Sequence, residues 1–467
     1  MGRGGRTGIA RNVLQAVPGP ALVRPYTRRR RRTPQPARKT QKDVMTVDAT
    51  RRSGLALGLG VGLCASTAWP AAPVRQLTVA AFPAIDQIVR AAEPAWRARF
   101  PGVELNVVSR QVNDHHAAMT TALSTASRLP DLMALEILYL GRYAQGRGLE
   151  DLRAEPYGGE RHRARFAPFA WQQAVNGRGE LLAVPSDIGP GTLLYRHDLL
   201  SRAGLQEEAL TRSWDSFVEA GRQIKARTGA FLLSHARDMK DIAVRTGLAP
   251  GDGLHFGSDN RVLVNTPRFV RAFELARDVR QARLDARIWA WSADWAEGFR
   301  RGSIATQMMG AWLAGHLNGW LAPTTRGLWR AAQLPQGAYA AFGGSFFAIP
   351  RGADAATKPL AWALLQMLTM DPAHQLAAFK AHDAFPALVE TYGDPFFDEP
   401  IPFLDNQPAR RLWRDAARHI TAPAVNKQDA FAEEVINTEL DKVVDRGKDI
   451  PTALGDAERL LRRHAAR

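Results

Sequence analysis

The stretch Phe299–Gly319, "FRRGSIATQMMGAWLAGHLNG", poses the question on which the fold turns. Ile304 to Met309 read as the core of a strand. Strands usually end in polar turns, but this one ends at Gly310 and places Trp312 just beyond it. One reading makes Trp312 a core residue. The other lets Gly310 bend the chain sharply, so that the indole faces a cleft with its ring free to stack on a ligand.

The same strand grammar recurs along the chain. "LTVAAF" (77–82) is a short apolar strand. Residues 85–99 carry Ile85, Ile88, Val89, Ala92 and Trp96 as a helical stripe. "FPGVELNVVS" (100–109) gives a Pro-Gly turn and an alternating strand, completing a β-α-β unit. A helix over 115–126 leads to "LPDLMALE" (129–136), a strand ending in a carboxylate, and then a helix over 137–147. "ELLAVPSDIGPGTLLYRHDLL" (180–200) reads as strand, Pro/Gly-rich crossing and second strand. Ser213 caps a helix reaching 228. "FGGSFFAIP" (342–350) is another strand. Residues 358–379 read as two helices, the second capped by Asp371 with Pro372 at its first position. The end, 428–463, is helical and amphipathic. This is an α/β pattern of two lobes interrupted by two crossings.

Length and composition set bounds. The 467 residues suggest two domains or one two-lobed unit, and a hydrophobic content of 45% supplies a sizeable core. The net charge of +16 first suggests a nucleic-acid partner. Its location argues otherwise. Residues 1–68 hold 14 Lys and Arg against 2 acidic residues, leaving 48 basic and 44 acidic residues in the body. The body is nearly balanced, so no nucleic-acid partner is expected.

The front of the chain reads as processing signals. Residues 1–44 form an arginine-rich extension that cannot build a core, and they read as disordered or as a start-site artefact. From Met45, the pair Arg51–Arg52, an apolar run over 54–65 and the small residues Ser66 and Ala68 read as a signal peptide, 45–68. The twin arginines partly match a twin-arginine export signal. The sole cysteine, Cys64, follows Leu63, where a lipoprotein signal has a small residue, so lipid anchoring is disfavoured. The expected location is the periplasm.

Catalytic signatures are missing. H-E-x-x-H, G-x-S-x-G and G-x-x-x-x-G-K-[ST] do not occur. "DHH" (114–116) reads as a polar helix start, because adjacent residues point in different directions; no metal site and no cofactor are expected. Glu136 and Asp187, both at strand ends, form a carboxylate pair that a secreted glycoside hydrolase could use.

The order of motifs carries a resemblance over roughly residues 75–465. "RFPGVELNVV", "LPDLMALE", "YAQGRGLEDL", "GELLAVPSDIGPGTLLYRHDLLSRAGL", "SWDSFVEA", "FRRGSIATQMMGAWLAG" and "FGGSFFAIP" resemble, in sequence order, the extracellular solute-binding proteins of bacterial carbohydrate ABC importers. This is solute-binding family 1, which includes maltose-binding protein. The resemblance implies a periplasmic-binding-protein fold: two lobes joined by hinge crossings, with a ligand cleft between them. Lobe I is expected over 69–187 and 343–395, lobe II over 188–342 and 396–467. It implies a non-enzymatic monomer that captures a sugar and delivers it to membrane permease subunits. By position it implies ligand contacts from Phe82, Asp114, His115, Glu136, Asp187, Trp312, Gly343, Gly344 and Phe346. Trp312 would stack on a sugar face, Glu136 would accept hydroxyl hydrogens, and the two glycines would let backbone N–H groups approach. Trp289, Trp291 and Trp295 are read as either core or cleft rim.

Overall fold

The structure, a computed structural model, describes residues 75–144 and 146–465. The arginine-rich extension and signal-peptide readings fall outside these residues. Among the described residues no helix is long and apolar enough to cross a membrane.

Among the described residues seven strands form the frame. β1 (Gln76–Ala81) pairs in parallel with β2 (Glu104–Ser109) and β3 (Leu132–Glu136). β4 is Val184–Arg196, β5 Thr306–Gly310, β6 Trp329–Ala332 and β7 Ala341–Ala348. The order is β2-β1-β3-β7-β4-β5, with β6 also on β4. β7 lies antiparallel between β3 and the first half of β4. The second half of β4 pairs with β5 on one side and β6 on the other. β4 and β7 therefore tie the parallel strands to a second group of strands.

The sequence reading of 180–200 as two strands is corrected here. Pro185 and Pro190 do not interrupt β4. The register with β7 shifts between Pro185 and Asp187 and again between Ile188 and Pro190. Such irregularities tolerate a residue with no N–H to donate. Gly189 and Gly191 make no turn; a β-carbon at Gly189 would overlap the Phe342 carbonyl, and one at Gly191 would lie 3.0 Å from the Ala340 carbonyl oxygen.

Helical expectations mostly follow local chemistry. Ser213 and Ser216 form a reciprocal capping box at the start of the helix Trp214–Thr228. The Asp371 carboxylate accepts from Ala373 N–H and His374 N–H ahead of the helix Pro372–His382. The helix expected over 85–99 is instead two, Ile85–Ala91 and Glu93–Arg99. Pro94 has no N–H to continue the first, and it sits in the first turn of the second.

Buried apolar residues form two clusters. One spans the parallel strands and reaches Trp295, Phe299 and Trp329. The other joins Leu193 and Met308 to the helices Trp214–Thr228, Ala236–Ala243, Pro267–Gln281, Asp429–Arg446 and Ile450–Ala465. Two cores linked by shared strands suit a molecule with a seam across its sheet.

Candidate functional site

A cavity of about 150 Å³ opens beside the point where β5 and β7 meet. Its walls include Trp291, Trp312 and Phe342 with Asp238, Asp241 and Gln307. Trp312 is partly exposed. Its indole N–H donates to the Phe342 carbonyl oxygen at 3.0 Å, and its ring lies 5.9 Å from that of Trp291, the planes 19° apart. The cavity lining thus combines large aromatic rings with carboxyl groups. Apolar rings beside hydrogen-bond acceptors are what a polyhydroxylated ring needs, since its C–H face is apolar and its edge carries O–H donors.

As the sequence reading has it, β5 ends at Gly310 and the chain turns at Ala311 and Trp312. The φ of Gly310 is outside the left-handed region, so the turn does not draw on glycine's conformational freedom. A β-carbon there would overlap the Trp312 indole nitrogen and the Phe342 carbonyl. At Gly343, with φ +83°, a β-carbon would lie 3.1 Å from the same nitrogen. The glycines make room for the indole.

The carboxylates come from one short helix. His235 and Asp238 cap Ala236–Ala243 reciprocally, and Asp238 also takes a hydrogen bond from Ser234. Burial pushes Asp238 up to about 7, outweighing these bonds. Asp241 pairs with the fully buried Lys240, whose Nζ also reaches Glu433 Oε1 at 2.7 Å. His255, also fully buried, lies 3.1 Å from Glu433 and 3.3 Å from Asp429, and these carboxylates raise its pKa against the effect of burial. This network fastens the cavity helix to the helix Asp429–Arg446.

Arg245, at the end of the same segment, stacks 4.5 Å from the centre of the Phe342 ring. It also lines a larger hollow of about 380 Å³ with Trp214, Tyr339 and His419. That hollow contains none of the residues singled out in the sequence. Asp383 lies so close to Gly315 that a β-carbon there would overlap its carboxylate. Burial raises Asp383 to about 6, opposed by Arg410.

Glu136 and Asp187 lie close enough to interact electrostatically. Glu136 is pushed up to about 7, chiefly by burial; the Leu138 N–H, at 2.8 Å, and Arg245 oppose the rise, and Asp187 adds to it. Both residues are half-buried. Asp187 rises to about 6 through burial, opposed by Ser345. Gly344, with φ +137°, runs close to the Asp187 carbonyl, and a β-carbon there would lie 3.1 Å from it.

Other sequence candidates sit elsewhere. Phe346 is 1% exposed and packs within the first apolar core instead of lining the cavity beside Trp312. Phe82 is buried, its ring 5.5 Å from His115 and 5.6 Å from His116. Asp114 is exposed on the first turn of the helix Val112–Thr125. The "DHH" stretch is not a polar helix start throughout. His115 is buried with Nε2 2.8 Å from the Ala134 carbonyl oxygen. His116 donates from Nδ1 to the Val112 carbonyl and accepts at Nε2 from Glu136 N–H. Burial lowers it to about 4, so it stays neutral and joins the helix to the end of β3.

Of the tryptophan trio, Trp295 is core, while Trp289 and Trp291 are exposed. Sequence reasoning missed Asp238, Asp241 and Arg245. Their spacing of three and four residues in "HARDMKDIAVR" (235–245) was the available signal of a shared helical face.

The fold and cavity define a two-lobed α/β binding protein, with paired crossing strands and a polar-aromatic cleft. The chain belongs to the bacterial extracellular solute-binding proteins, whose family model matches residues 94–400. It is similar to a crystal structure of an extracellular solute-binding protein of family 1. That match has a TM-score of 0.73 and 24% identity, covering 84% of this chain and 99% of the other. It is also similar to the ABC transporter associated binding protein from B. animalis subsp. lactis Bl-04 in complex with β-1,6-galactobiose. There the TM-score is 0.69 and identity 21%, over 83% of this chain and 97% of the other. The lactose-binding protein of Rhizobium radiobacter is 25% identical over 256 residues, 53% of this chain. The match spans 58% of that relative's length.

Proposed function

We propose that this protein is the substrate-binding component of an ABC importer, capturing a sugar in the cleft and handing it to membrane permease subunits. The observation that carries the reading is the cavity lined jointly by Trp291, Trp312 and Phe342 and by Asp238 and Asp241. Family membership supports it, as do relatives described as binding lactose and β-1,6-galactobiose. The relatives are binding proteins, and the reading requires no bond to be made or broken.

In this mechanism one lobe, 69–187 with 343–395, moves against the other, 188–342 with 396–467. β4 and β7 act as the hinge. Trp312 offers an apolar face, and Glu136, Asp187 and the Asp238–Asp241 helix accept hydroxyl hydrogens. Sugar binds the open form and favours the closed one by its added contacts. Gly343 and Gly344 bring bare backbone to the hinge. Export through a leader ending near Ala68 would place the protein in the periplasm, working as a monomer.

A thermal-shift screen of neutral sugars tests the reading. A ligand at 100 times its dissociation constant should stabilise the fold by about 2.7 kcal/mol. The sugar should be recovered intact after incubation. Hydrolysis, or no response to any sugar, would count against it. Mass spectrometry of exported protein should find an N-terminus near Trp69.

A further inference from the structure

Outside the cavity the chain continues an aromatic row. Trp312, His316 and Trp320 recur every fourth residue along the helix Leu313–His316 and the π-helical turn Leu317–Leu321. Their ring centres are 5.6 Å and 6.0 Å apart in succession, with the imidazole nearly perpendicular to both indoles. That spacing is comparable with the length of one pyranose unit. Trp291 joins the row, its ring 5.7 Å from His316.

These rings are held in place while remaining open to solvent. Trp320 is 52% exposed and Trp291 47%. Trp320 donates from Nε1 to His316 Nδ1 at 2.9 Å. An indole only donates, so His316 Nδ1 must accept and a neutral ring carries its proton on Nε2. Burial lowers the His316 pKa, which disfavours the charged ring. The row thus offers an N–H donor between two indoles. Trp291 sits at φ +69°, a left-handed conformation costly for a bulky side chain. π-helical turns are themselves frequent at functional sites.

Resting on the sugar-capture reading, we propose that the binding site extends along Trp312, His316 and Trp320, and that the ligand is an oligosaccharide of at least two units. One ring is enclosed by Trp291, Trp312 and Phe342. The next lies across His316 and Trp320.

The test titrates wild type, Trp320→Ala and Trp320→Phe with lactose, β-1,6-galactobiose and maltotriose, and with galactose and glucose. Trp320 is half exposed, so circular dichroism and urea unfolding should show folded variants. Wild type should prefer at least one oligosaccharide over its monosaccharide. Trp320→Ala should cut that preference about five- to ten-fold, and Trp320→Phe should restore part of it. An unchanged preference overturns the proposal, as does an equal loss for both ligand lengths. So does a variant with full sugar affinity but impaired transport in vesicles carrying the permease, which would assign the indole to a protein-docking surface. If wild type binds none of these sugars, the sugar-capture reading fails first and takes the extension with it.

Discussion

The indole nitrogen of Trp312 donates to the carbonyl oxygen of Phe342 at 3.0 Å. One hydrogen bond thereby ties the end of β5 to the start of β7. Phe342 in turn carries the Arg245 guanidinium on its ring, 4.5 Å from the centre. The cavity's aromatic wall is therefore fixed to the strand that returns to the parallel half of the sheet. Movement at that strand would be felt at the Trp312 indole.

Trp312→Ala should weaken sugar binding by about 1–3 kcal/mol, through lost stacking and lost apolar burial. It should also lower stability, since the Phe342 carbonyl loses its donor; a hydrogen bond of this kind contributes about 1 kcal/mol net. Trp312→Phe should recover more affinity than stability, because it stacks but cannot donate. Urea unfolding and calorimetric titration on the same variants separate the two effects. Unchanged affinity in a folded alanine variant would return Trp312 to a packing role.

Gly310→Ala tests the indole's seat without touching the ring. Its β-carbon would occupy space held by Trp312 Nε1 and the Phe342 carbonyl, so the indole must move. Affinity should fall about ten-fold, or about 1.4 kcal/mol, with tryptophan fluorescence shifted in the unliganded protein. Wild-type fluorescence and affinity together would show that the indole adapts.

Glu136 gives a pH prediction. Its folded pKa, about 7, lies above the ordinary value of 4.5. The native state therefore holds the proton more tightly than the unfolded chain. Its contribution to stability is full below 4.5 and is lost as pH rises towards 7. Asp238, at about 7, and Asp187, at about 6, act in the same sense. His116 and His235, both lowered to about 4, oppose them, costing stability as pH falls from 6.5 towards 4. Glu136→Gln should narrow the stability difference between pH 5 and pH 8. Parallel urea curves for wild type and variant would contradict the assignment.

Gly141 offers a test of closure. It lies on the helix Ile137–Ala144, and a β-carbon there would overlap the backbone of Asn426, just ahead of the helix Asp429–Arg446. In the proposed lobe assignment this contact crosses the seam. Gly141→Leu should hold the lobes apart, lowering affinity about ten-fold or more and raising the radius of gyration of sugar-saturated protein in X-ray scattering. A variant as compact as wild type at saturating sugar would mean the contact does not limit closure.

Lys240→Met should destabilise the fold by about 3–5 kcal/mol, because it leaves Asp241 and Glu433 without their buried cation. Pairing it with Glu433→Gln should return part of that loss, measurable by a double-mutant cycle in urea. Strict additivity would show that the pair does not act as a unit.

Much of the frame was legible in the sequence because it rests on short-range rules. Apolar runs marked β1, β3, β5 and β7, and side-chain oxygens at Ser213 and Asp371 marked helix starts. Motif order pointed to the family before any geometry was known. The continuity of β4 through Pro185 and Pro190 was not legible, because its tolerance of those residues depends on register shifts against β7. Nor was the burial of His115 and His116, whose hydrogen bonds run to the helix's own Val112 and, across the fold, to Ala134 and Glu136. The cavity itself depends on tertiary structure. Asp238 and Trp312 meet there although 74 positions separate them in the chain. Periodicity shows which face of an element is apolar. Which distant element covers that face, and where a gap is left between them, is decided only when the strands pair and the helices pack.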